Sequence, residues 1–422
     1  MIGSKCCVVG VVAVFALWSG SVACGSDAGH TAGGGIATTA TLPADGEIVS
    51  TTPVAQMSTE QTAAYLQGKI ETTAHNGVDA YRVVYRTTSP SGGTTTASGL
   101  VVLPRTDSHR LRVVSYEHGT MTRKQDAPSV NSDGPDRARA IMFAAAGYAA
   151  LAPDYLGLGE GPGFHPYVHA PSEVSASVDL LRAARRVAEG QQREFDPDIL
   201  VTGFSQGGQA AAALGKALQG GQASGFGLAA LAPVSGPYDV HHVEIPAGLD
   251  GRVIPVSAVI YFSYWVTSMN LIYHFYNTPD EAFQPPYAAR MAELFDGNHN
   301  EIAIGAALLT TPQQLLTPQF IALATHPTGA ALQAMTDSDG TCDWTPRVAV
   351  HLYAASGDRN VPYANAEHCL RALHSDKATL VDLGAIDHGA TARVAMPQIL
   401  GIFQQEAPAT QAGRAQTPPS PR

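Results

Sequence analysis

The chain has 422 residues, of which 25 are Lys or Arg and 36 are Asp or Glu, so its formal net charge is −11. Hydrophobic residues make up 45% of the chain and charged residues only 14%, a balance that excludes a disordered protein. The acidic charge and the absence of a Lys/Arg cluster argue against a nucleic-acid partner. No window holds roughly 18 uninterrupted apolar residues, so no membrane-spanning helix is expected.

The N-terminus has the features of an export signal. Lys5 supplies a positive charge, residues 8–18 form an apolar run and small residues precede Cys24, which together predict a signal peptide over residues 1–23. We therefore expect a protein that is secreted or attached to the cell envelope. The residues up to Cys24 also resemble a bacterial lipobox, although Ser21 stands where leucine is usual. A lipidated Cys24 would attach the protein peripherally to a membrane, and the sequence leaves lipidated and free Cys24 both open.

The cysteines bear on the same question. Cys6 and Cys7 would leave with the signal peptide, and Cys24 is either lipidated or free. Only Cys342 and Cys369 remain in the body of the chain. Because export delivers them to an oxidising compartment, we expect a disulfide between these two residues. The alternative is a pair of buried, unpaired thiols.

Between its two ends the chain alternates strand-like and helix-like segments. Short apolar runs predict strands, and longer amphipathic runs predict helices. Alternation of this kind predicts a mostly parallel central sheet with helices on both faces. The predicted strands cover 81–86, 98–103, 113–116, 149–152, 199–203, 229–233, 348–353 and 379–383, and the helices 137–146, 172–188, 207–218, 363–373 and 391–404.

The domain organisation follows from where this alternation stops. Residues 24–56 are rich in Gly, Thr and Ala and predict a flexible, low-complexity tether, and residues 408–422 predict a disordered tail. The α/β core is expected in two parts, over 57–238 and 347–407. Between them, residues 239–346 have helical and loop character and predict a helical cap insertion.

Seven aromatic residues lie within 261–276 of this insertion. One interpretation is an ordinary subdomain core. The other is a cap over an active site, with some of the aromatic side chains facing a substrate pocket.

Residues 203–207 read Gly-Phe-Ser-Gln-Gly, a G-x-S-x-G pattern. An apolar strand leads into the pattern and a Gly- and Ala-rich helix leads out of it. This is the strand, sharp turn and helix that hold a nucleophilic serine exposed at the edge of a sheet. Ser205 is therefore the predicted nucleophile.

A serine hydroxyl needs a base to take its proton, and the base needs a carboxylate to orient it. Asp358 and His388 each follow a predicted strand, in the chain order Ser, acid, His that this arrangement requires. They are the predicted acid and base. Asp382 and Asp387 are rival acids, and a surface-loop role is the alternative for His388.

The loop that begins at His118 follows another predicted strand. Its position predicts that the backbone N–H groups of Thr120 and Gln206 form an oxyanion hole. His118 itself is expected to be a buried packing residue rather than a catalyst.

Several of these motifs occur together and in a fixed order, at residues 116–120, 152–159, 165–167, 203–208 and 358–362. Together they resemble the α/β-hydrolase secretory lipase family of bacteria and fungi, over about residues 75–405. The resemblance implies the α/β-hydrolase fold with a helical cap and a secreted carboxylic-ester hydrolase that needs no cofactor. It implies small-molecule or lipid esters as substrates, among them triacylglycerols, short acyl esters and plant-wall esters. Glu117 departs from the family, where glutamine is usual.

Two other functions remain as alternatives. A serine peptidase or amidase would use the same fold, although no repeat of propeller-blade length is present. A non-catalytic cell-surface binding protein would be expected to lose part of the triad. His241 and His242 lack the accompanying ligands of a metal site, so no metal is expected. His165 and His169 are interpreted as capping or packing residues near the pocket rim, with substrate contact as the alternative.

Overall fold

The structure is a computed structural model, and it describes residues 46–410. Within that range, nine strands form one sheet. They are β1 (Ile48–Met57), β2 (Gly77–Thr88), β3 (Thr94–Arg105), β4 (Arg110–Glu117), β5 (Ala149–Pro153), β6 (Glu194–Phe204), β7 (Gly227–Val234), β8 (Val350–Ala354) and β9 (Ala378–Asp382).

The order of the strands across the sheet is β1-β2-β3-β5-β4-β6-β7-β8-β9. Antiparallel pairing joins β1 to β2, β2 to β3 and β3 to β5, and the remaining neighbours are parallel. The predicted mostly parallel sheet is confirmed. Because β4 and β6 to β9 run in the same direction, the loops after their carboxyl ends lie at one edge, where α/β sheets place their sites.

Helices cover both faces of this sheet, as predicted. The helices of the core are α1 (Thr59–Leu66), α2 (Pro135–Ala145), α3 (Ala170–Glu189), α4 (Gln206–Gln219), α13 (Ala364–Ala372) and α14 (His388–Glu406). Helices α3, α4 and α13 pack on one face through side chains such as Leu180 and Leu214. Helices α1, α2 and α14 pack on the other face through side chains such as Phe143 and Phe403.

The N-terminal tether predicted over residues 24–56 is wrong in its last part. Residues 48–56 belong to β1, which pairs with β2 along an edge of the sheet. Most side chains of β1 are exposed, so this strand carries no alternating apolar pattern. Backbone pairing holds it, and composition gives no sign of such pairing. The rest of the tether, the signal peptide over 1–23, Cys24 and residues 411–422 lie outside the described residues.

The chain between β7 and β8 is helical, as expected for the inserted cap. It contains α5 (Ile245–Asp250), α6 (Pro255–Tyr273), α7 (Pro279–Ala282), α8 (Met291–Leu294), α9 (Glu301–Ala307), α10 (Pro312–Leu315), α11 (Pro318–Thr325) and α12 (Gly329–Asp339). A π-helical turn over Val240–Glu244 precedes α5. These helices share a hydrophobic core of their own, built around Met269 and Phe283.

A disulfide joins Cys342 to Cys369, as predicted. Cys342 ends a 3-10 turn just after the last helix of the insertion, and Cys369 lies in α13. The bridge therefore fastens the end of the insertion to the core helix that follows the Asp358 loop. Across residues 46–410, no helix combines the length and the apolar character that crossing a membrane requires.

Candidate active site

Ser205 occupies the sharp turn between β6 and α4. Its backbone has φ 58° and ψ −124°, a left-handed conformation that is strained for a residue with a side chain. The turn is so tight that a Cβ atom on Gly203 would lie 2.1 Å from the Gly207 carbonyl oxygen. A Cβ atom on Gly207 would lie 2.0 Å from the carbonyl oxygen of Glu117. Both glycines of the G-x-S-x-G pattern are therefore required by steric contact.

Ser205, His388 and Asp358 form a continuous chain of hydrogen bonds. The Ser205 Oγ lies 2.8 Å from His388 Nε2, and His388 Nδ1 lies 2.6 Å from Asp358 Oδ2. The second carboxylate oxygen of Asp358 accepts hydrogen bonds from the backbone N–H groups of Asn360 at 2.8 Å and Val361 at 3.0 Å. These partners place the imidazole proton on Nδ1, so Nε2 is free to accept the serine proton.

The two rival acids have other partners. Asp382 accepts hydrogen bonds from the backbone N–H groups of Ser356 and Gly384. Asp387 caps the start of α14 by accepting from the backbone N–H of Ala390 at 2.9 Å. Both carboxylates therefore stabilise the loops around His388, and the structure brings Asp358 rather than either rival to the imidazole.

The loop after β4 lies beside the serine. A Cβ atom on Gly119 would lie 3.6 Å from the Ser205 Cβ, so Thr120 follows a residue in contact with the predicted nucleophile. The hydroxyl of Thr120 is 3.0 Å from that of Tyr167. In the described part of the chain, the backbone N–H groups of Thr120 and Gln206 donate to no other group. Gln206 also begins α4, whose N-terminus favours negative charge. Both predicted oxyanion donors are thus unengaged.

The side chain of Gln206 is buried and held from two sides. Its Nε2 donates to His165 Nε2 and to Glu173 Oε1, each at 2.8 Å. His165 Nδ1 in turn donates to the Leu156 carbonyl oxygen at 2.9 Å. Burial lowers the pKa of His165 to about 4 and raises the pKa of Glu173 to about 8, so both side chains are neutral at pH 7. His165 therefore supports Gln206, the residue predicted to supply an oxyanion donor, a role that sequence analysis missed.

Glu117, the residue that departs from the resembled family, lies at the end of β4 and is fully buried. Its carboxyl group accepts hydrogen bonds from Ser115 at 2.7 Å and Ser177 at 2.9 Å. Burial raises the pKa of Glu117 to about 7. A glutamate is therefore accommodated here because two serine hydroxyls satisfy it.

His118 and His169 are also explained by internal contacts. His118 is buried between the carbonyl oxygens of Gly119 at 2.7 Å and Asp154 at 3.2 Å. His169 precedes α3, and its Nε2 is 3.0 Å from the hydroxyl of Tyr273 in the insertion. As expected, both are packing residues in this structure.

A cavity adjoins Ser205 and extends among the helices of the insertion. Its lining is largely apolar and includes Tyr261, Phe262 and Trp265 from α6. These three residues belong to the aromatic run 261–276. Tyr264 from the same run instead stacks on Tyr167, with ring centroids 4.4 Å apart. Both interpretations of the aromatic run therefore apply, to different residues.

His241 and His242 form no metal site. Their ring centroids are 4.0 Å apart with the planes tilted by 38°, and the Nδ1 atom of His242 is 3.0 Å from the Oδ1 atom of Asp239. Within residues 46–410, no group of three His, Cys, Asp or Glu side chains is placed to hold a metal ion.

Solved structures resemble this chain over most of its length. A protein from Legionella pneumophila is 27% identical, with a TM-score of 0.78 over 88% of this chain and 99% of that protein. The ligand-bound rice cell wall degrading esterase LipA from Xanthomonas oryzae is 25% identical, with a TM-score of 0.75 over 86% and 98% of the two chains. Candida antarctica lipase A in its closed state is 13% identical, with a TM-score of 0.63 over 87% and 84%.

No protein-family model matches the chain, and no curated protein matches it in sequence. The structural likenesses nevertheless confirm the predicted fold class: the chain has the α/β-hydrolase fold.

Proposed function

We propose that the chain is a serine carboxylic-ester hydrolase of the lipase/esterase type, working through an acyl-enzyme. The observation that carries this proposal is the unbroken hydrogen-bond chain from Asp358 through His388 to Ser205. It lies beside two unengaged backbone N–H groups and at the wall of an apolar cavity. The esterase and lipase among the similar structures support the same reaction.

The reaction follows from the positions of the protons. As the Ser205 oxygen attacks the ester carbonyl carbon, its proton passes to Nε2 of His388, and Asp358 stabilises the resulting imidazolium. The amides of Thr120 and Gln206 donate to the carbonyl oxygen as it becomes negatively charged. His388 then returns the proton to the departing alcohol. A water molecule, activated by the same imidazole, releases the acid from Ser205.

Export is part of the proposal. It is supported by the signal-like segment over residues 1–23 and by the Cys342–Cys369 disulfide, a bond typical of oxidising compartments. We further propose that lipidation of Cys24 decides between a secreted and an envelope-attached protein. Mass spectrometry of the mature N-terminus, purified from its native host, distinguishes a diacylated Cys24 from an unmodified one.

A substrate panel tests the activity directly. We would assay p-nitrophenyl esters from acetate to palmitate, an emulsified triglyceride and a matched p-nitroanilide. The expected result is ester hydrolysis that Ser205→Ala lowers by more than about a thousandfold, together with loss of labelling by an organophosphonate. Ser356→Ala, in a neighbouring loop, serves as the control. Cleavage of the anilide in preference to the esters would instead indicate a peptidase or amidase.

A further inference from the structure

One carboxyl group interrupts the apolar wall of the cavity. Among the described residues that line it, Glu244 is the only one with a carboxyl group. The other lining residues include Val240, Ile245 and Trp265. Glu244 ends the π-helical turn that precedes α5. A carboxyl group in such a wall is costly unless something binds it.

Among the described residues, only one oxygen of this carboxyl group has a hydrogen-bond partner. Oε1 accepts a hydrogen bond from Asn365 Nδ2 at 2.6 Å. Asn365 is itself fixed, because its Oδ1 accepts from the backbone N–H of Asp239 at 3.0 Å and its Nδ2 also donates to the Pro362 carbonyl oxygen at 3.2 Å. None of the hydrogen bonds formed within residues 46–410 involves Oε2, and Glu244, which is only partly buried, lines the cavity. The carboxyl group is thus held by one oxygen and presents the other.

The surroundings keep this group neutral at pH 7. Burial raises the pKa of Glu244 to about 8, and the negative charges of Asp358, Asp339 and Asp239 act in the same direction. A neutral carboxyl group both donates and accepts a hydrogen bond. It therefore suits an uncharged polar group on a ligand rather than a cation.

The cavity is placed to hold the acyl half of an ester. Ser205, to which the acyl group becomes attached, contributes to the lining, whereas His388 is not among the described lining residues. The alcohol half must reach His388 to receive its proton, so it lies outside this cavity. The acyl chain then extends from Ser205 along the wall that contains Glu244.

We propose that Glu244 is a specificity-determining residue whose carboxyl group hydrogen-bonds a hydroxyl group on the acyl chain. The preferred substrates are accordingly esters of hydroxylated aliphatic or aromatic acids rather than of plain acids. This inference rests on the proposed ester hydrolysis and adds its substrate class. A plain chain would displace solvent from the Glu244 carboxyl group without replacing its hydrogen bond, which is unfavourable.

The test compares p-nitrophenyl octanoate with a set of positional isomers that each carry one hydroxyl group, at C2, C3, C6, C7 or C8. The C4 and C5 isomers are left out because their hydroxyl groups would expel p-nitrophenol by lactone formation without enzyme. For each enzyme we would measure the ratio of kcat/KM for an isomer to kcat/KM for the parent ester. This ratio is independent of how much of the enzyme is folded. We expect at least one isomer to exceed the parent by about tenfold in the wild type, the worth of one hydrogen bond to a buried group.

Three variants test whether Glu244 causes the preference for a hydroxylated acyl chain. Glu244→Leu should abolish it, and Glu244→Gln, which keeps a donor and an acceptor, should retain part of it. Glu293→Leu removes an exposed carboxylate from α8 of the same insertion and should leave the ratio unchanged.

A wild type that prefers the parent over every isomer, or a Glu244→Leu variant that keeps the wild-type preference, would overturn the inference. If the parent and every isomer were left intact by the wild type, the proposed function would fail as well. The parent ester therefore separates the two failures.

Discussion

Different interactions stabilise two regions of the molecule: the edge of the sheet that carries the predicted triad, called here the catalytic edge, and the helical insertion. At the edge, Ser205, Asp358 and His388 follow β6, β8 and β9, and hydrogen bonds fix each functional group. In the insertion, eight helices of 4 to 19 residues pack through a mostly apolar core. Reaction chemistry depends on placement to within tenths of an ångström, whereas a cavity depends on volume and on a few polar groups. Substitutions in the two regions should therefore fail differently.

The largest effect is expected at the catalytic edge. Asp358→Asn removes the carboxylate that holds the His388 proton on Nδ1, and kcat should fall by about 10⁴-fold while the melting temperature changes little. The matched change Asp382→Asn, at a carboxylate that accepts hydrogen bonds from the backbone N–H groups of Ser356 and Gly384, should keep activity within about tenfold. Steady-state kinetics on one ester and circular dichroism melts measure both effects. A fully active Asp358→Asn enzyme would exclude Asp358 as the acid.

Removing the disulfide that joins the insertion to the core tests how much this link stabilises the protein. It closes a loop with a sequence separation of 27 residues, which contains β8 and the Asp358 loop. For the double variant Cys342→Ser/Cys369→Ser, the chain-entropy estimate is a loss of about 3.5 kcal/mol in the free energy of unfolding. Urea unfolding of the variant, and of the wild type with and without reductant, measures this loss. Equal midpoints in all three samples would show that the bridge adds no stability.

The pH dependence of stability tests the carboxyl groups with raised pKa values in the two regions. Burial raises the pKa to about 7 for Glu117 and about 8 for Glu173 in the core, and to about 8 for Glu244 and about 7 for Glu301 in the insertion. Each folded-state pKa is above its unfolded value of about 4.5, so the native state binds more protons. These four groups therefore lower stability as pH rises from about 4.5 to 8. Burial lowers the pKa of His165 and His169 to about 4, which acts in the opposite direction up to about pH 6.5, so the net fall is expected between about pH 6.5 and 8.

Melting temperatures at pH 5, 7 and 9 measure this slope. Glu173→Gln keeps the shape of the side chain without an ionisable group, so it should remove this core residue's share of the pH dependence and reduce the fall in melting temperature. Glu244→Gln should likewise remove the share that comes from Glu244 in the insertion. A stability that rises from pH 7 to pH 9 would contradict the assignment of neutral carboxyl groups.

The smallest effect is expected at two helix caps, one in each region. Ser58 Oγ accepts from the backbone N–H of Gln61 at the start of α1, and Gln61 Oε1 accepts from the backbone N–H of Ser58. In the insertion, Thr317 Oγ1 accepts from the backbone N–H of Phe320 at the start of α11. Ser58→Ala and Thr317→Ala should each cost about 1 kcal/mol. Chemical denaturation followed by tryptophan fluorescence measures the loss. If Thr317→Ala cost well above about 1 kcal/mol and Ser58→Ala did not, the insertion would be the more cooperative region.

The features that sequence could predict are those with a local cause. The apolar strands of the sheet interior were predictable because burial on both faces leaves a continuous apolar run. Ser205, Asp358 and His388 were predictable as candidates because each follows such a strand. The edge strand β1 was not, since its exposed side chains carry no pattern and its partner β2 lies some 30 residues away along the chain.

The supporting residues of the site also escaped prediction. Gln206 contacts His165 and Glu173, which are 41 and 33 residues distant in the chain. The carboxyl group of Glu244 depends on Asn365, 121 residues away. A single sequence has no periodicity or spacing that reports such distant side-chain pairs. Only the folded structure brings them together.

The exposed edge strand β1 has a consequence for self-association. An edge strand offers unpaired backbone groups to the edge of another molecule, which is a route to aggregation. Here Pro53 lies within the strand, and irregularities in the pairing of β1 with β2 fall between Ile48 and Ser50 and between Pro53 and Ala55. Proline lacks a backbone N–H, and irregular pairing bends an edge away from flat contact. This edge is therefore a poor template for a second sheet, which favours a protein that stays dispersed at high concentration.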